Sequence, residues 1–178
     1  QTVIIMPNTV HCASTGPDGV EYHVIPTEIG KIVFSSQNDG SPCSLCAKLR
    51  KGALNNAVKE YGCNKVAYAH HMDDVVETMF LSMIFESRFY CFPPVTYLDR
   101  ADLTVIRPMI YVSEAEVKGF RNKYHLPVVE NPCPVDGATK RQYAKDLVRQ
   151  INLDHPGARQ RIFRAVVEGN IPGWSKKR

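Results

Sequence analysis

Ten consecutive residues constrain this chain more than any others: Ala69-His70-His71-Met72-Asp73-Asp74-Val75-Val76-Glu77-Thr78. Just before them, Asn64-Lys65-Val66-Ala67-Tyr68 reads as a buried strand. Just after, Val75, Val76, Met79, Phe80 and Met83 recur at helical spacing. Two histidines, two aspartates and a glutamate therefore crowd a strand-to-helix turn. In an open parallel sheet the ligand crevice lies at the carboxyl ends of the strands. A turn that only packs has no need of five ionisable groups.

The rest of the chain supports that setting. Val3-Ile4-Ile5-Met6 reads as a strand, 7–19 as a loop, and Glu21-Tyr22-His23-Val24-Ile25-Pro26 as an alternating strand. From Ser44 a helix is expected, with Leu45, Leu49, Leu54, Ala57, Val58 and Tyr61 on one face and Gly62 as its stop. A helix over 74–85 follows the strand before the acidic turn. The segment 87–102 holds two prolines and four aromatics and is expected to be a surface loop. Leu103-Thr104-Val105-Ile106 is a strand. Ser113-Glu114-Ala115-Glu116 is a capping box opening a helix with Val117, Phe120 and Tyr124 inward. Leu126-Pro127-Val128-Val129 is extended. Two amphipathic helices follow, 140–151 and 156–168, with Pro156 in the first turn of the second. Alternating strand and helix argue an α/β fold with a parallel sheet.

The length, 178 residues, suits a single domain with a real core. A net charge of +4 permits a nucleic-acid partner without demanding one. The basic tail Ser175-Lys176-Lys177-Arg178 reads as a solvated end. No apolar run reaches membrane-span length and no secretory pattern opens the chain, so the expectation is a cytoplasmic protein with reduced thiols.

Six cysteines is a high count, and their spacing is not that of a disulfide framework. Cys12, Cys63 and Cys91 follow no pattern. Cys43-Ser44-Leu45-Cys46 stands at a helix start, where thiolates are stabilised. A redox pair, half of a zinc site and a simple pair of thiols all remain open. With Cys133, in Asn131-Pro132-Cys133-Pro134, three thiolates and one open position also suit a [4Fe-4S] cluster. The acidic turn is equally open. Histidines with carboxylates suit Mg²⁺ or Zn²⁺. Carboxylates can instead hold Mg²⁺ on phosphates while the helix start binds anions. A helix cap accounts for one aspartate and leaves His70, His71 and Glu77 over.

Four motifs in order then resemble the tRNA 2-thiocytidine synthetase (TtcA-like) family, relatives of the lysidine synthetases among the PP-loop ATP pyrophosphatases. They are the run from Cys43 and Cys46 to Arg50-Lys51-Gly52, the turn 69–78, Val105-Ile106-Arg107-Pro108, and Cys133. The resemblance covers 21–174. It implies a Rossmann-like parallel sheet flanked by helices, with C-terminal helices. It implies adenylation of a cytidine C2 carbonyl in tRNA with ATP and Mg²⁺, followed by replacement of oxygen by sulfur from a donor such as a cysteine desulfurase. On this chain the [4Fe-4S] ligands would be Cys43, Cys46 and Cys133. Asp73 and Asp74 would be catalytic, holding Mg²⁺ or ordering the loop around the phosphates. His70, His71, Asp74, Glu77 and Arg107 would line the nucleotide site. For Arg107 an ordinary surface ion pair is the competing reading. Arg50 and Lys51 either meet RNA phosphates or form a solvated helix face.

Two departures stand out. The family's Ser-Gly-Gly-x-Asp-Ser phosphate loop is absent, and 2–19 does not match the family's early region. The expectation is a single α/β domain, 1–178, N-terminally incomplete, whose open sheet calls for missing residues, another chain or a homodimer. Where some members carry a second C-x-x-C, this chain has Cys133 and then Asp136. A non-catalytic metal or RNA-binding module, or a lysidine-type ligase, are the alternatives.

Overall fold

The computed structural model describes residues 2–5, 23, 25–35, 42–126, 128, 133, 137 and 139–174. Its strands are β1 (Thr2–Ile5), β2 (Lys65–Tyr68), β3 (Val95–Leu98) and β4 (Leu103–Ile106). They form one sheet in the order β1–β2–β4–β3. β1 and β4 flank β2 and run parallel to it, with Val66 opposite Val3 on one side and Val105 on the other. Parallel neighbours need long crossovers. Here those are α2 (Pro42–Glu60), between β1 and β2, and α3 (Met72–Glu86), between β2 and β4. The remaining helices are α1 (Ile29–Val33), α4 (Glu114–Lys123), α5 (Lys140–Asp154) and α6 (Ala158–Glu168). The expected α/β sheet with C-terminal helices is therefore present.

Two cores hold these elements. In the smaller, Val58 of α2 packs with Cys63, Val66 and Leu103, and Leu54, Tyr68 and Ala101 close around them. Gly62, at φ 65, turns the chain out of α2 as its position in the sequence implied. In the larger core, Met72, Val75, Val76 and Met79 of α3 meet Val148 of α5, Phe163 and Val166 of α6, and Cys91, Ile110 and Trp174. α3 is thus a central strut, wrapped by the C-terminal helices. No helix among the described residues is long and apolar enough to cross a membrane.

Several expectations are corrected. The segment 87–102 is not all loop: it holds β3 and a 3-10 turn, Asp99–Ala101, and β3 joins β4 antiparallel. As an edge strand with Val95 and Tyr97 exposed, it carries no buried apolar run to betray it. Helix α4 has the capping box, Ser113 with Glu116, but buries no residue. Phe120 and Tyr124 are 58% and 54% exposed and stack on each other at 4.5 Å. α6 begins after Gly157, at φ 82, so Pro156 lies outside it. The described residues of 21–26, His23, Ile25 and Pro26, are in no strand. The rest of that segment, the loop 7–19, Cys12 and the tail 175–178 lie outside the described residues.

Candidate active site

The acidic turn is where β2 hands over to α3. His71 is the N-cap: its Nδ1 accepts from the Asp74 backbone N–H at 3.3 Å, and Asp74 Oδ2 accepts from the His71 N–H at 2.9 Å. This is a capping box written with histidine and aspartate. It satisfies two N–H groups at the helix start and aligns Asp74 with the helix dipole. The Met72 N–H is taken by the Val112 carbonyl at 2.8 Å, which pins the turn to the segment after β4.

Asp73 is 2% exposed, and both its oxygens are engaged. Oδ2 accepts from the Glu114 N–H at 2.7 Å, so a carboxylate of α3 caps the start of α4. Oδ1 pairs with Arg159 of α6 at 2.5 Å. One side chain thus joins three helices. A metal ion at Asp73 would have to displace one of these contacts.

Asp74 and Glu77 face α5. Arg141 reaches Asp74 Oδ1 at 3.0 Å and Glu77 Oε2 at 3.4 Å. Burial pushes the Glu77 carboxyl up to about 7, with Arg141 opposing the shift and Asp74 adding to it. Next to this pair, Lys145 donates to Glu114 Oε1 at 2.7 Å. Burial would raise Glu114, but the hydrogen bonds from Lys145 and Lys118 prevail and hold it at about 2. Glu77 therefore sits near neutrality, poised to hold or release a proton, while Glu114 stays ionised.

His70 and Arg107 stand at the carboxyl ends of β2 and β4. The His70 ring lies 4.4 Å from Phe92 and edge-on to Tyr68 at 5.4 Å. Burial lowers His70 to about 4, with Asp74 acting against the shift and Arg107 and Arg141 reinforcing it. The neutral ring accepts at Nδ1 from Arg107 Nε at 3.3 Å. Arg107 also donates to the Pro93 carbonyl at 2.6 Å and to Thr96 Oγ1 at 3.2 Å, and its guanidinium lies over Phe92 at 4.8 Å. It is not the ordinary surface ion pair that the sequence left open. Among the described residues every hydrogen-bond partner is neutral, so this half-buried cation has no carboxylate there to balance it.

The turn, Glu77 and Arg107 are thus gathered at one end of the sheet, and the cysteines are not part of that cluster. Cys43, exposed, and Cys46, half-buried, share the first turn of α2, and half-buried Cys133 is not in a disulfide. Among the described residues no three His, Cys, Asp or Glu side chains converge to hold a metal. The three thiols are thus not gathered into one ligand set, although thiolates are the donor type that such a cluster takes. Sequence reasoning also missed Arg141, Lys145 and Arg159, the cations that neutralise the turn. Arg141 and Lys145 lie one helical turn apart on α5, which is a usable signal, but nothing local says which carboxylates they meet.

Comparisons with known proteins identify the family. The chain is 35% identical over 152 residues to the tRNA-cytidine(32) 2-sulfurtransferase of Marinobacter nauticus, covering 83% of this chain and 50% of that protein. It is 36% identical to the enzyme of the same name from Pseudomonas putida, covering 83% and 55%. The Geobacter sulfurreducens relative is 35% identical, covering 86% and 60%. The chain thus spans between half and three-fifths of the length of these relatives. In fold it is similar to the U34-tRNA thiolase NcsA from Methanococcus maripaludis, solved with its [4Fe-4S] cluster. That match has a TM-score of 0.58 and 23% identity, over 75% of this chain and 45% of the other. The PP-loop domain family matches residues 20–152, three-quarters of the sequence, and this chain belongs to the PP-loop domain family.

Proposed function

We propose that this chain is the catalytic PP-loop domain of a tRNA sulfurtransferase that uses ATP to activate the C2 carbonyl of a cytidine and replaces its oxygen with sulfur. One observation carries the nucleotide part: Arg107, a half-buried guanidinium without a carboxylate partner among the described residues, at the carboxyl ends of two parallel strands. A buried charge without a counterion is costly, and a nucleotide phosphate would supply one. The relatives' names support the substrate, a tRNA cytidine.

The chemistry follows from the poor leaving ability of a carbonyl oxygen. The C2 oxygen attacks the α-phosphate of ATP and pyrophosphate leaves. A sulfur nucleophile then adds at C2, and AMP departs with the oxygen. Arg107 would bind phosphate, and the neutral His70 beside it would orient the guanidinium through Nδ1. Between Asp73 and Asp74, Asp74 is the better-placed ligand for Mg²⁺, because its Oδ1 contacts only the exposed Arg141. Glu77, titrating near neutrality, is the group able to take up a proton there. Cys43, Cys46 and Cys133 remain the donor set for a [4Fe-4S] cluster. Support for that comes from thiolate chemistry and the neighbour's cluster, not from a convergence of thiols. The reading treats the chain as one α/β domain working in the cytoplasm on tRNA, with a sulfur donor such as a cysteine desulfurase and a homodimer as its assembly.

ATP titration by calorimetry, paired with mass-spectrometric detection of 2-thiocytidine in tRNA, tests it. Arg107→Gln is expected to weaken ATP binding about ten-fold or more, the scale of a lost hydrogen bond to a charged group. Absence of ATP binding by the unsubstituted protein would favour a non-catalytic RNA-binding module. Iron and sulfide analysis after anaerobic purification tests the cluster, and tightly bound zinc without iron would remove it.

A further inference from the structure

A concave feature lies away from the acidic turn. A depression of about 340 Å³ is framed by Lys51 and Asn55 of α2 and by residues 97–101 of the β3–β4 hairpin. Leu98 pairs with Leu103, the first residue of β4, so the depression is at the amino end of that strand. The acidic turn and Arg107 are at the other end.

The hairpin tip is built to present a ring. Tyr97 is 57% exposed, yet its hydroxyl donates to Asp102 Oδ1 at 2.6 Å. Asp102 is itself set in the left-handed region at φ 48, with its N–H on the Asp99 carbonyl at 3.3 Å. The Tyr97 ring is thus oriented without being buried. Two exposed cations flank it, Lys51 and Arg100. An oriented aromatic face and two cations match what an unstacked nucleotide offers: a base to stack and phosphates to pair. The Asp99 carboxylate stands among them and disfavours a free polyphosphate, whose charge is not offset by a stacking base.

We propose that this depression is a subsite for an unstacked nucleotide of single-stranded RNA, held by stacking on Tyr97 and by Lys51 and Arg100 at its phosphates. The inference rests on the reading of the chain as a tRNA-modifying enzyme and extends it, since it gives the RNA a second hold at the opposite end of the sheet. β4 is four residues long, a span of roughly 13 Å at ~3.3 Å per residue. One RNA loop with its flanking nucleotides can reach both ends.

Fluorescence anisotropy with a fluorescein-labelled oligocytidylate, measured over a range of salt concentrations, tests the subsite. Tyr97→Ala is expected to weaken binding about five-fold or more, and Tyr97→Phe to retain most of it because the ring remains. The double variant Lys51→Ala, Arg100→Ala is expected to lower the slope of log affinity against log salt by about 1.4, at ~0.7 per phosphate contact on a single strand. Asp99→Asn is expected to tighten binding. Circular dichroism confirms that each variant is folded; if Tyr97→Ala is not, the charge variants decide. RNA binding unchanged in affinity by Tyr97→Ala and in slope by the double variant would overturn the subsite and leave the enzyme reading standing. No RNA binding by the unsubstituted chain would overturn both.

Discussion

His70 and Glu77 lie seven positions apart on one turn, and burial drives them in opposite senses. Burial lowers His70 from 6.5 to about 4, so the unfolded chain takes up its proton first as pH falls. The stability contributed by the neutral ring is whole above pH 6.5 and lost progressively toward pH 4, at most about 3 kcal/mol at ~1.36 kcal/mol per pKa unit. Glu77 is raised from 4.5 to about 7, so its contribution is whole below pH 4.5 and lost as pH rises through 7. Thermal midpoints followed from pH 4 to 8 check both. His70→Asn is expected to flatten the acid side of the curve, and Glu77→Gln the decline between pH 4.5 and 7. A Glu77→Gln variant with the wild-type decline would contradict the assignment. Both residues were legible in the sequence as members of the turn. Their opposite shifts were not, because burial and the nearness of Arg107 and Arg141 are set by chain segments far away.

The helices around the turn are tied by Asp73 more than by any other polar side chain described. It accepts from the start of α4 and pairs with Arg159 of α6. Asp73→Asn leaves Arg159 without its counterion. It is expected to cost about 2–4 kcal/mol, slightly below the range for a fully buried pair because Arg159 keeps some solvent contact. A double-mutant cycle with Arg159→Ala in urea denaturation measures the coupling, and additive effects would mean that the pair contributes little. A stability loss alone would identify a structural strut. Loss of ATP affinity in a variant that remains folded would restore the catalytic role that the motif suggests. At this scale the sequence located the caps: Ser113 and Glu116 were visible, and so were the ends of α2 and β4. It misjudged α4, whose aromatic residues look core-bound by spacing but stack on each other and are exposed, because among the described residues no second layer covers that helix.

Across the whole molecule, the larger core is closed by the single tryptophan. Trp174 packs edge-on to Phe163 at 5.8 Å and to Tyr111 at 6.4 Å, and it joins the cluster built on α3. Before it, Gly173 sits at φ 84, and a Cβ there would come 2.5 Å from Pro93 Cβ, so the chain's approach to the hairpin requires glycine. Trp174→Ala is expected to cost about 3–5 kcal/mol, the range for deleting a large buried aromatic side chain. Differential scanning calorimetry measures it, and a loss below ~1 kcal/mol would show that the C-terminal turn is not part of the cooperative core. The same closure holds α5 and α6 on α3, and so keeps Arg141 and Arg159 at the carboxylates of the turn.

The sequence by itself determined what depends on neighbours a few residues away. That includes the helix periodicity of α2, α3 and α5, the apolar strands β2 and β4, the capping of α4, and the crowding of ionisable groups between β2 and α3. Only the tertiary structure decided the partners: Asp73 with the α4 start, 41 residues on, and Asp74 with Arg141, 67 residues on. It also decided the antiparallel edge β3, and the neutral surroundings of Arg107. Periodicity and caps are local free energies that a short segment expresses alone. Which charge meets which, and which remains unbalanced, is settled only when distant segments are brought together and water is removed from between them.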